Sequence, residues 1–288
     1  MCDDNHKGLV PYTDLSRRKF SALIAAATAT SVAGCATAQT TSAAVSERAV
    51  QVRTPDGVCD AALFLPAARS APGVLVWPDA GGLRQSLKDM GKRLAGQGYV
   101  ALVVNPYYRS GDAPSLVPPP GPQDDAQRAK RAAMRAAMTD EAVVRDAAAF
   151  VAYLDALPET SNAKVGVQGY CMGGPLSFRT AAALPNRIGA VGSFHGGGLT
   201  TQNSNSPHLL IAKTNARYLV AIAKNDDAND PASKVTLRET FDKAGRSAIV
   251  DVYGGNHGWC VPDSSSYMAA EAERAWAALS DLYKRALV

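Results

Sequence analysis

The spacing of apolar and polar positions along the chain predicts strands that alternate with helices. Continuous apolar runs at Gly73–Trp77 and at 99–104 flank the segment 85–97, whose apolar residues recur every three or four positions. A strand, a helix and a second strand in this order form a βαβ unit, and such units build parallel sheets.

The same alternation extends to the C-terminus, and two short runs around the turn 54–57 predict antiparallel strands before it. The other predicted strands are 50–53, 62–65, 164–168, Ile188–Phe194, Arg217–Ala223 and 248–252, and the other predicted helices are 140–157, 175–184, 232–243 and 266–285. We therefore predict an α/β fold with a mostly parallel central sheet, flanking helices and antiparallel N-terminal strands. One domain is expected to cover residues 49–288.

A segment rich in proline and glycine, residues 114–122, interrupts the alternation and precedes the basic, alanine-rich segment 127–138. An insertion of this kind can cover a pocket at the edge of a sheet. A solvated crossover with a polar helix explains the same pattern and is favoured, because no residue of the segment has an evident chemical role.

The most informative short pattern is Gly169-Tyr170-Cys171-Met172-Gly173, which places a thiol where hydrolases with the pattern G-x-S-x-G carry a nucleophilic serine. A predicted strand precedes the pattern and a predicted helix follows it. The thiol of Cys171 is then expected on a tight turn at a helix N-terminus, where the helix dipole favours a thiolate. The alternative is a glycine-lined turn that holds a small buried thiol.

The candidate acid and base follow this thiol in the chain. Asp226 and Asp227 come directly after an apolar strand, and His257 lies in a glycine-containing segment. The order nucleophile, acid, histidine is that of the α/β hydrolases. We predict that His257 accepts the thiol proton and that Asp226, with Asp227 as the alternative, orients the imidazole. The backbone amides of Met172 and Ala80 are the predicted donors of an oxyanion hole.

Composition narrows the classes of function. The 288 residues are 47% hydrophobic, which suffices for a large core, and the formal net charge of +4 is too small to indicate nucleic acid binding. The four histidines lie singly and no Cys-x-x-Cys pair is present, so we predict no metal and no cofactor. The predicted partner is a small-molecule ester or lactone. The oligomeric state stays open, with a monomer favoured.

Residues 1–38 have the features of an export leader. Ser-Arg-Arg-Lys-Phe at 16–20 is a twin-arginine signature, and the apolar run after it is too short to span a bilayer. The residues before Cys35 favour lipid attachment there, while 36–38 fit cleavage to a soluble form; a mature amphipathic N-terminal helix is a further alternative. We predict a flexible linker over 39–48, export to the periplasm or cell envelope, and membrane contact only through the leader or a lipid.

Three cysteines fall within the predicted domain, namely Cys59, Cys171 and Cys260. A bridge between Cys59 and Cys260 is left open. Twin-arginine export moves chains that have already folded in a reducing compartment, and this favours free thiols.

Several segments together resemble the dienelactone hydrolase family from about residue 50 to the C-terminus. They are Trp-Pro-Asp-Ala-Gly-Gly-Leu-Arg at 77–84, Asn-Pro-Tyr-Tyr-Arg at 105–109, the glycine pattern at 169–174, Phe-His-Gly-Gly-Gly at 194–198 and the segment around His257. The resemblance implies an α/β-hydrolase fold with the triad Cys171, Asp226 and His257. It also implies that Asp79 pairs with the resting thiol and that Arg109 helps to bind a substrate carboxylate. For Arg109, a surface or ion-paired arginine is the alternative.

These residues predict a hydrolase of activated carboxylic esters or enol lactones that acts through an acyl-enzyme. Tyr108, His195 and Trp259 are expected to line the substrate pocket. A thiolate leaves a tetrahedral intermediate more easily than a simple alkoxide does, so enol and aryl esters are the expected substrates. The alternatives are a non-catalytic binding lipoprotein of the envelope on the same fold and an acyltransferase that uses the same triad.

Overall fold

The computed structural model describes residues 45–68, 70–118 and 121–287. The predicted leader, with its twin-arginine signature and Cys35, lies outside these residues. So does the part of the predicted linker that precedes residue 45.

A single eight-stranded sheet crosses the described part of the chain. Its strands are β1 Ser46–Thr54, β2 Gly57–Leu65, β3 Gly73–Trp77, β4 Val100–Val104, β5 Val165–Tyr170, β6 Ile188–Phe194, β7 Arg217–Ala223 and β8 Ala248–Tyr253. Their order across the sheet is β1-β2-β4-β3-β5-β6-β7-β8. The pairs β1–β2 and β2–β4 are antiparallel and the other neighbours are parallel. The predicted mostly parallel sheet with antiparallel N-terminal strands is confirmed.

The first hairpin corrects one predicted boundary. Strand β1 begins at Ser46, so residues 46–48 belong to the sheet and not to the predicted linker 39–48. These residues pair with residues 63–65 of β2. The sequence does not show this, because β1 lies at the edge of the sheet and most of its side chains are exposed. Its backbone hydrogen bonds, which leave no hydropathy pattern, define the strand.

Eight α-helices are found in the described residues. They are α1 Gln85–Gly96, α2 Ala113–Leu116, α3 Asp125–Ala136, α4 Asp140–Asp155, α5 Gly173–Ala183, α6 Lys224–Asn229, α7 Pro231–Lys243 and α8 Ala269–Ala286, with short 3-10 helices at Tyr108–Ser110 and Pro207–Lys213. The sequence pattern misses α2, α6 and the 3-10 helices, which are too short for a periodic signal. No helix in the described ranges has both the length and the apolar character that a bilayer crossing needs.

Two apolar cores lie on opposite faces of the sheet. Successive residues of β3 point to alternate faces, with Leu75 in one core and Val76 in the other. Helices α4, α5 and α7 cover the first face, through residues such as Phe150, Phe178 and Phe241. Helices α1 and α8 cover the second face. The parallel strands end at one edge of the sheet between these helical layers. The candidate functional residues lie in the loops directly after those carboxyl ends.

A third, smaller apolar group lies beyond the strand ends and involves the inserted segment. Tyr107, Leu116, Met134, Cys171 and Met172 are all buried and in contact there. Helix α3 supplies Met134 to this group, and its first turn is fixed by a reciprocal capping box. The favoured prediction of a solvated helix at 127–138 is therefore wrong for one side of this helix.

Candidate active site

Cys171 occupies the sharp turn between β5 and α5. Its φ angle is +52°, a left-handed conformation that is strained for a residue with a side chain. A Cβ atom on Gly169 would lie 1.9 Å from the carbonyl oxygen of Gly173, and one on Gly173 would lie 2.5 Å from that of Trp77. Both glycines are therefore needed for the close packing of this turn. The backbone N–H of Cys171 donates to Phe194 O at 3.0 Å.

His257 is held by two contacts from the segment after β7. Its Nδ1 lies 2.7 Å from Oδ2 of Asp226, and its backbone N–H donates to Asn225 Oδ1 at 2.7 Å. Asp227 instead bonds to Nζ of Lys234 at 2.7 Å. The structure therefore places Asp226, and not Asp227, on the imidazole. A neutral ring that donates from Nδ1 has its proton-accepting lone pair on Nε2.

His195 links the cysteine and the histidine in space. It follows Phe194, which accepts the Cys171 amide, and its ring centre lies 4.6 Å from that of His257 in an edge-to-face contact. His195 has a φ angle of +40° and its backbone N–H donates to Ala221 O at 2.8 Å. The turn after β6 thus borders both residues. The expectation that His195 lines the substrate pocket stays a prediction.

The two predicted oxyanion donors are both close to the nucleophile turn. Met172 immediately precedes α5, and Ala80 packs against the apolar group that contains Cys171. The carbonyl oxygen of Ala80 accepts from the hydroxyl of Tyr107 at 3.2 Å and from the guanidinium of Arg131. The Tyr107 hydroxyl and the Arg131 guanidinium therefore restrain the loop that follows β3.

Asp79 is engaged in a buried network of ion pairs. Its two carboxylate oxygens accept from Arg84 at 2.6 and 2.9 Å, and Arg84 also binds both oxygens of Asp263 at 2.7 and 2.8 Å. Ser86 donates to Asp263 as well. Burial lowers the pKa of Arg84, but Asp79 and Asp263 more than offset that effect and the pKa is raised. We call Asp79, Arg84 and Asp263 the arginine clamp.

The arginine clamp joins the loop after β3 to the segment that follows His257. It therefore fixes the predicted oxyanion loop relative to the histidine. Because Arg84 neutralises Asp79, the implied role of Asp79 in activating the thiol stays a prediction.

Arg109 is an ion-paired residue. It donates two hydrogen bonds to Asp146 at 2.9 Å each and a third to Asp56 at 2.6 Å. Burial lowers the pKa of Arg109 while these carboxylates raise it, and the net shift is upward. Its neighbour Tyr108 donates to Asp146 at 2.7 Å and contacts Thr54 at the same distance. The geometry favours the ion-paired alternative for Arg109 and gives Tyr108 a structural role, so neither supports the substrate-binding expectation.

Trp259 corrects another expectation. Its side chain has no exposed surface and stacks on Tyr253, with ring centres 4.6 Å apart and planes 8° from parallel. A substrate cannot contact a side chain that has no exposed surface, so Trp259 belongs to the core and not to the pocket lining. Three residues separate it from the arginine clamp at Asp263.

The inserted helix α3 contributes residues that the sequence analysis missed. Arg131 and Met134 are its two buried residues, on a helix that is otherwise polar. Their spacing of three positions, which puts them on one helix face, is a signal that could have revealed them. Arg131 does not stand out in the sequence, because the segment 127–138 contains several other basic residues.

The three described cysteines are free. Burial raises the pKa of the Cys59 and Cys260 thiols, so both are expected to stay protonated at neutral pH. No bridge joins Cys59 to Cys260 in the structure. Residues 45–68, 70–118 and 121–287 contain no group of three or more His, Cys, Asp or Glu side chains arranged to hold a metal ion.

The chain is similar in sequence to known proteins over most of its length. The model of the dienelactone hydrolase family matches residues 59–287. A protein of Methylorubrum extorquens is 28% identical over 295 residues, which cover 98% of this chain and 97% of the relative. The carboxymethylenebutenolidase of Pseudomonas putida is 28% identical over 77% of this chain and 90% of its own.

Solved structures show the same fold. A crystal structure from Klebsiella pneumoniae superposes with a TM-score of 0.73 at 20% identity, and the match covers 84% of this chain and 99% of that one. The family match spans most of the chain, including the turn at Cys171 and the histidine segment. The chain therefore belongs to the dienelactone hydrolase family, as a carboxylic ester or lactone hydrolase with an α/β-hydrolase fold.

Proposed function

We propose that Cys171 is the nucleophile of an enzyme that cleaves activated esters or enol lactones through an acyl-enzyme. One observation carries the proposal: the bond between Asp226 and Nδ1 of His257 at 2.7 Å, in a site that also contains a cysteine on a strained strand-to-helix turn. The carboxylate fixes the imidazole tautomer and stabilises the imidazolium that forms when the thiol is deprotonated.

In the first half of the reaction, His257 Nε2 takes the thiol proton and the Cys171 thiolate attacks the carbonyl carbon. The C=O electron pair moves to oxygen, and the backbone amides of Met172 and Ala80 donate to this oxyanion. Collapse of the intermediate breaks the C–O bond to the leaving group. The imidazolium then gives its proton to the departing oxygen.

In the second half, water attacks the thioester carbonyl while His257 Nε2 accepts a proton from it. The second tetrahedral intermediate expels the Cys171 thiolate and leaves a carboxylic acid. The proton on the imidazolium returns to the sulfur or passes to solvent, which restores the resting site.

The chemistry of sulfur limits the substrates. A tetrahedral intermediate expels the weaker base, so a thiolate leaves in preference to an alkyl alkoxide, whereas an enolate or phenolate competes well. The Pseudomonas putida relative is named for a butenolide, an unsaturated lactone. Enol lactones and aryl esters are therefore the proposed substrate class.

A hydrolysis panel tests the proposal. We expect the full chain to cleave para-nitrophenyl acetate and vinyl acetate at least about 10-fold faster than ethyl acetate or acetanilide, since about 1.4 kcal/mol of leaving-group advantage already gives that factor. Cys171→Ala should abolish turnover, and Cys171→Ser tests whether sulfur itself is required. Equal turnover by Cys171→Ala, or faster cleavage of ethyl acetate, would reject the mechanism.

We further propose that the leader exports the protein by the twin-arginine route and that Cys35 is the lipid-bearing residue. The support is the twin-arginine signature Arg17-Arg18 and the small residues that precede Cys35. Cell fractionation tests both points. Arg17→Lys with Arg18→Lys should retain the protein in the cytoplasm, and Cys35→Ser should move it from the membrane fraction to the soluble fraction.

A further inference from the structure

Helix α3 places a buried arginine against the loop that follows β3. Arg131 is 8% exposed and Met134 is 4% exposed. Met134 packs in the apolar group with Cys171 and Met172, and Arg131 donates from Nη1 to the carbonyl oxygen of Ala80. The guanidinium therefore lies against the loop that also carries the proposed oxyanion donor.

Arg131 differs in its counter-charges from buried Arg84 and from half-buried Arg109. Arg84 binds two carboxylates, and so does Arg109. Among the described residues no carboxylate lies within 4 Å of the Arg131 guanidinium. Asp79, the carboxylate whose charge acts on the pKa of Arg131, is already paired with Arg84. Burial is the largest cause that lowers the pKa of Arg131. The positive charges of Arg135 and Arg84 add to it, and Tyr107 and Asp79 offset it only in part.

The remaining donors of Arg131 are available to a ligand. Its Nε and Nη2 make no hydrogen bond to any described residue. The side chain is not completely enclosed, since Arg131 is 8% exposed. A guanidinium presents planar N–H donors at the spacing of the two oxygens of a carboxylate. A buried cation without a counter-ion is costly, and an anion that binds to it offsets that cost.

We propose that Arg131 is a specificity-determining residue of the active site, which binds a carboxylate on the ester or lactone substrate through the N–H groups that Ala80 does not use. The proposal depends on the proposed hydrolase function. The Ala80 carbonyl ties the Arg131 guanidinium to the loop that carries the proposed oxyanion donor, so we expect a carboxylate bound there to lie close to the reacting acyl group. Helix α3 then acts as the part of the enzyme that selects the substrate, and Arg109 does not take part.

Pairs of charged and neutral esters test this proposal. The first pair is para-acetoxybenzoate and its methyl ester, which places the carboxylate on the leaving group. The second pair is para-nitrophenyl succinate and para-nitrophenyl pentanoate, which places it on the acyl group. The full chain is compared with Arg131→Met, with Arg131→Lys, and with the control Arg128→Met. Arg128 lies one turn earlier on α3, is half exposed and pairs with Asp125.

We expect the wild-type chain to prefer the charged member of at least one pair in kcat/KM by about 10- to 100-fold, the range of charge-assisted hydrogen bonds. Arg131→Met should remove this preference through a higher KM for the charged ester, so that kcat/KM falls about 10- to 100-fold further for the charged ester than for the neutral one. Arg131→Lys should retain part of it, because it keeps the charge without the planar donors. Arg128→Met should keep the full preference.

Three results would overturn the proposal: equal kcat/KM for both members of both pairs in the wild-type chain, a preference that survives in Arg131→Met, or the same loss in Arg128→Met. If no ester is cleaved at all, the hydrolase function fails separately. Calorimetry of para-acetoxybenzoate with Cys171→Ala then still tests Arg131. A dissociation constant at least about 10-fold weaker in the double variant with Arg131→Met supports the proposal, and an equal one overturns it.

Discussion

Two buried arginines contact the loop that follows β3, and they differ in the groups that surround their charge. Arg84 is saturated by Asp79 and Asp263, whereas Arg131 donates to one backbone carbonyl and has no carboxylate beside it. Burial is similar for both, so burial alone does not distinguish a structural arginine from one that is open to a ligand. The number of carboxylates that pair with each guanidinium distinguishes them.

The comparison extends to the elements that carry the two residues. The arginine clamp connects the two loops that follow the carboxyl ends of β3 and β8. Helix α3 belongs to an insertion and contacts the site through two buried side chains. We therefore expect changes at the clamp to impair the whole site, and changes on α3 to alter substrate choice.

The largest effect should come from removing His257, on which the activity depends whatever the clamp and helix α3 contribute. His257→Ala eliminates the general base, and loss of a triad histidine reduces turnover by about 10⁴-fold or more. Charged and neutral esters should lose kcat/KM equally, which steady-state kinetics on the pairs above would show. A loss confined to charged esters would mean that His257 binds substrate and does not act on the thiol.

The next effect separates the two adjacent aspartates. Asp226→Asn should lower kcat by about 10²- to 10⁴-fold, because an amide in place of the carboxylate cannot stabilise the imidazolium. Asp227→Asn, whose partner is Lys234, is the matched control and should change kcat by less than about 3-fold. Reversal of this order would assign the orienting role to Asp227.

Arg84→Met tests the clamp itself. It leaves two carboxylates without their cation, and breaking a buried ion pair on one side costs about 3–5 kcal/mol of unfolding free energy. Urea unfolding would measure the loss. Arg93→Met is the control, since Arg93 pairs with Glu273 in a largely exposed position and should cost about 1 kcal/mol or less.

A similar loss in the Arg84 and Arg93 variants would show that the clamp has no special structural role. The kinetics of Arg84→Met provide the second measurement: kcat should fall by the same factor for the charged and the neutral esters. That result would contrast with the selective loss expected for Arg131→Met.

Arg109→Met should affect stability and leave substrate choice unchanged. Removal of the cation leaves the buried Asp146 without its ion pair, and because Arg109 is partly exposed we expect a cost of about 1–3 kcal/mol in unfolding free energy. The preference between charged and neutral esters should match that of the wild-type chain. A lost preference would return Arg109 to the substrate site and weaken the assignment of Arg131.

The smallest effect is a pH dependence at Asp56. Hydrogen bonds from Arg145 and Arg109 lower the pKa of Asp56 from its ordinary 3.8 to about 2. A carboxyl whose pKa is lower in the folded state stabilises the protein above its unfolded pKa, and that contribution is lost as the pH falls toward the folded value. The difference in Tm between the wild-type chain and Asp56→Asn should therefore narrow from pH 6 to pH 3. A constant difference would contradict the ion-pair account.

The sequence predicts the sheet well where strands are buried on both faces. The bounds of β3, β6 and β7 coincide with their apolar runs, because a central parallel strand contacts helices on both sides. The edge strand β1 and the short helix α6 are not predicted in full. Exposed side chains and short length remove the periodic signal that reveals other elements.

The candidate site divides in the same way. The turn at Cys171 and the approach of Asp226 to His257 follow from local patterns and from the order of elements. The arginine clamp and Arg131 do not, because their partners are far apart in the chain: Arg84 and Asp263 are separated by 179 positions, and Arg131 and Ala80 by 51. Which of several arginines meets a carboxylate is decided by packing, and the spacing of residues in the sequence carries no record of it.

Detection of the acyl-enzyme tests the central claim most directly. The full chain is mixed with para-nitrophenyl acetate, quenched in acid during the first turnovers, digested and analysed by mass spectrometry. We predict an acetyl group on the peptide that contains Cys171, removed by hydroxylamine and not formed in Cys171→Ala or on Cys59 and Cys260. Turnover of the ester without any adduct on Cys171, at a rate that the alanine variant retains, would contradict the account.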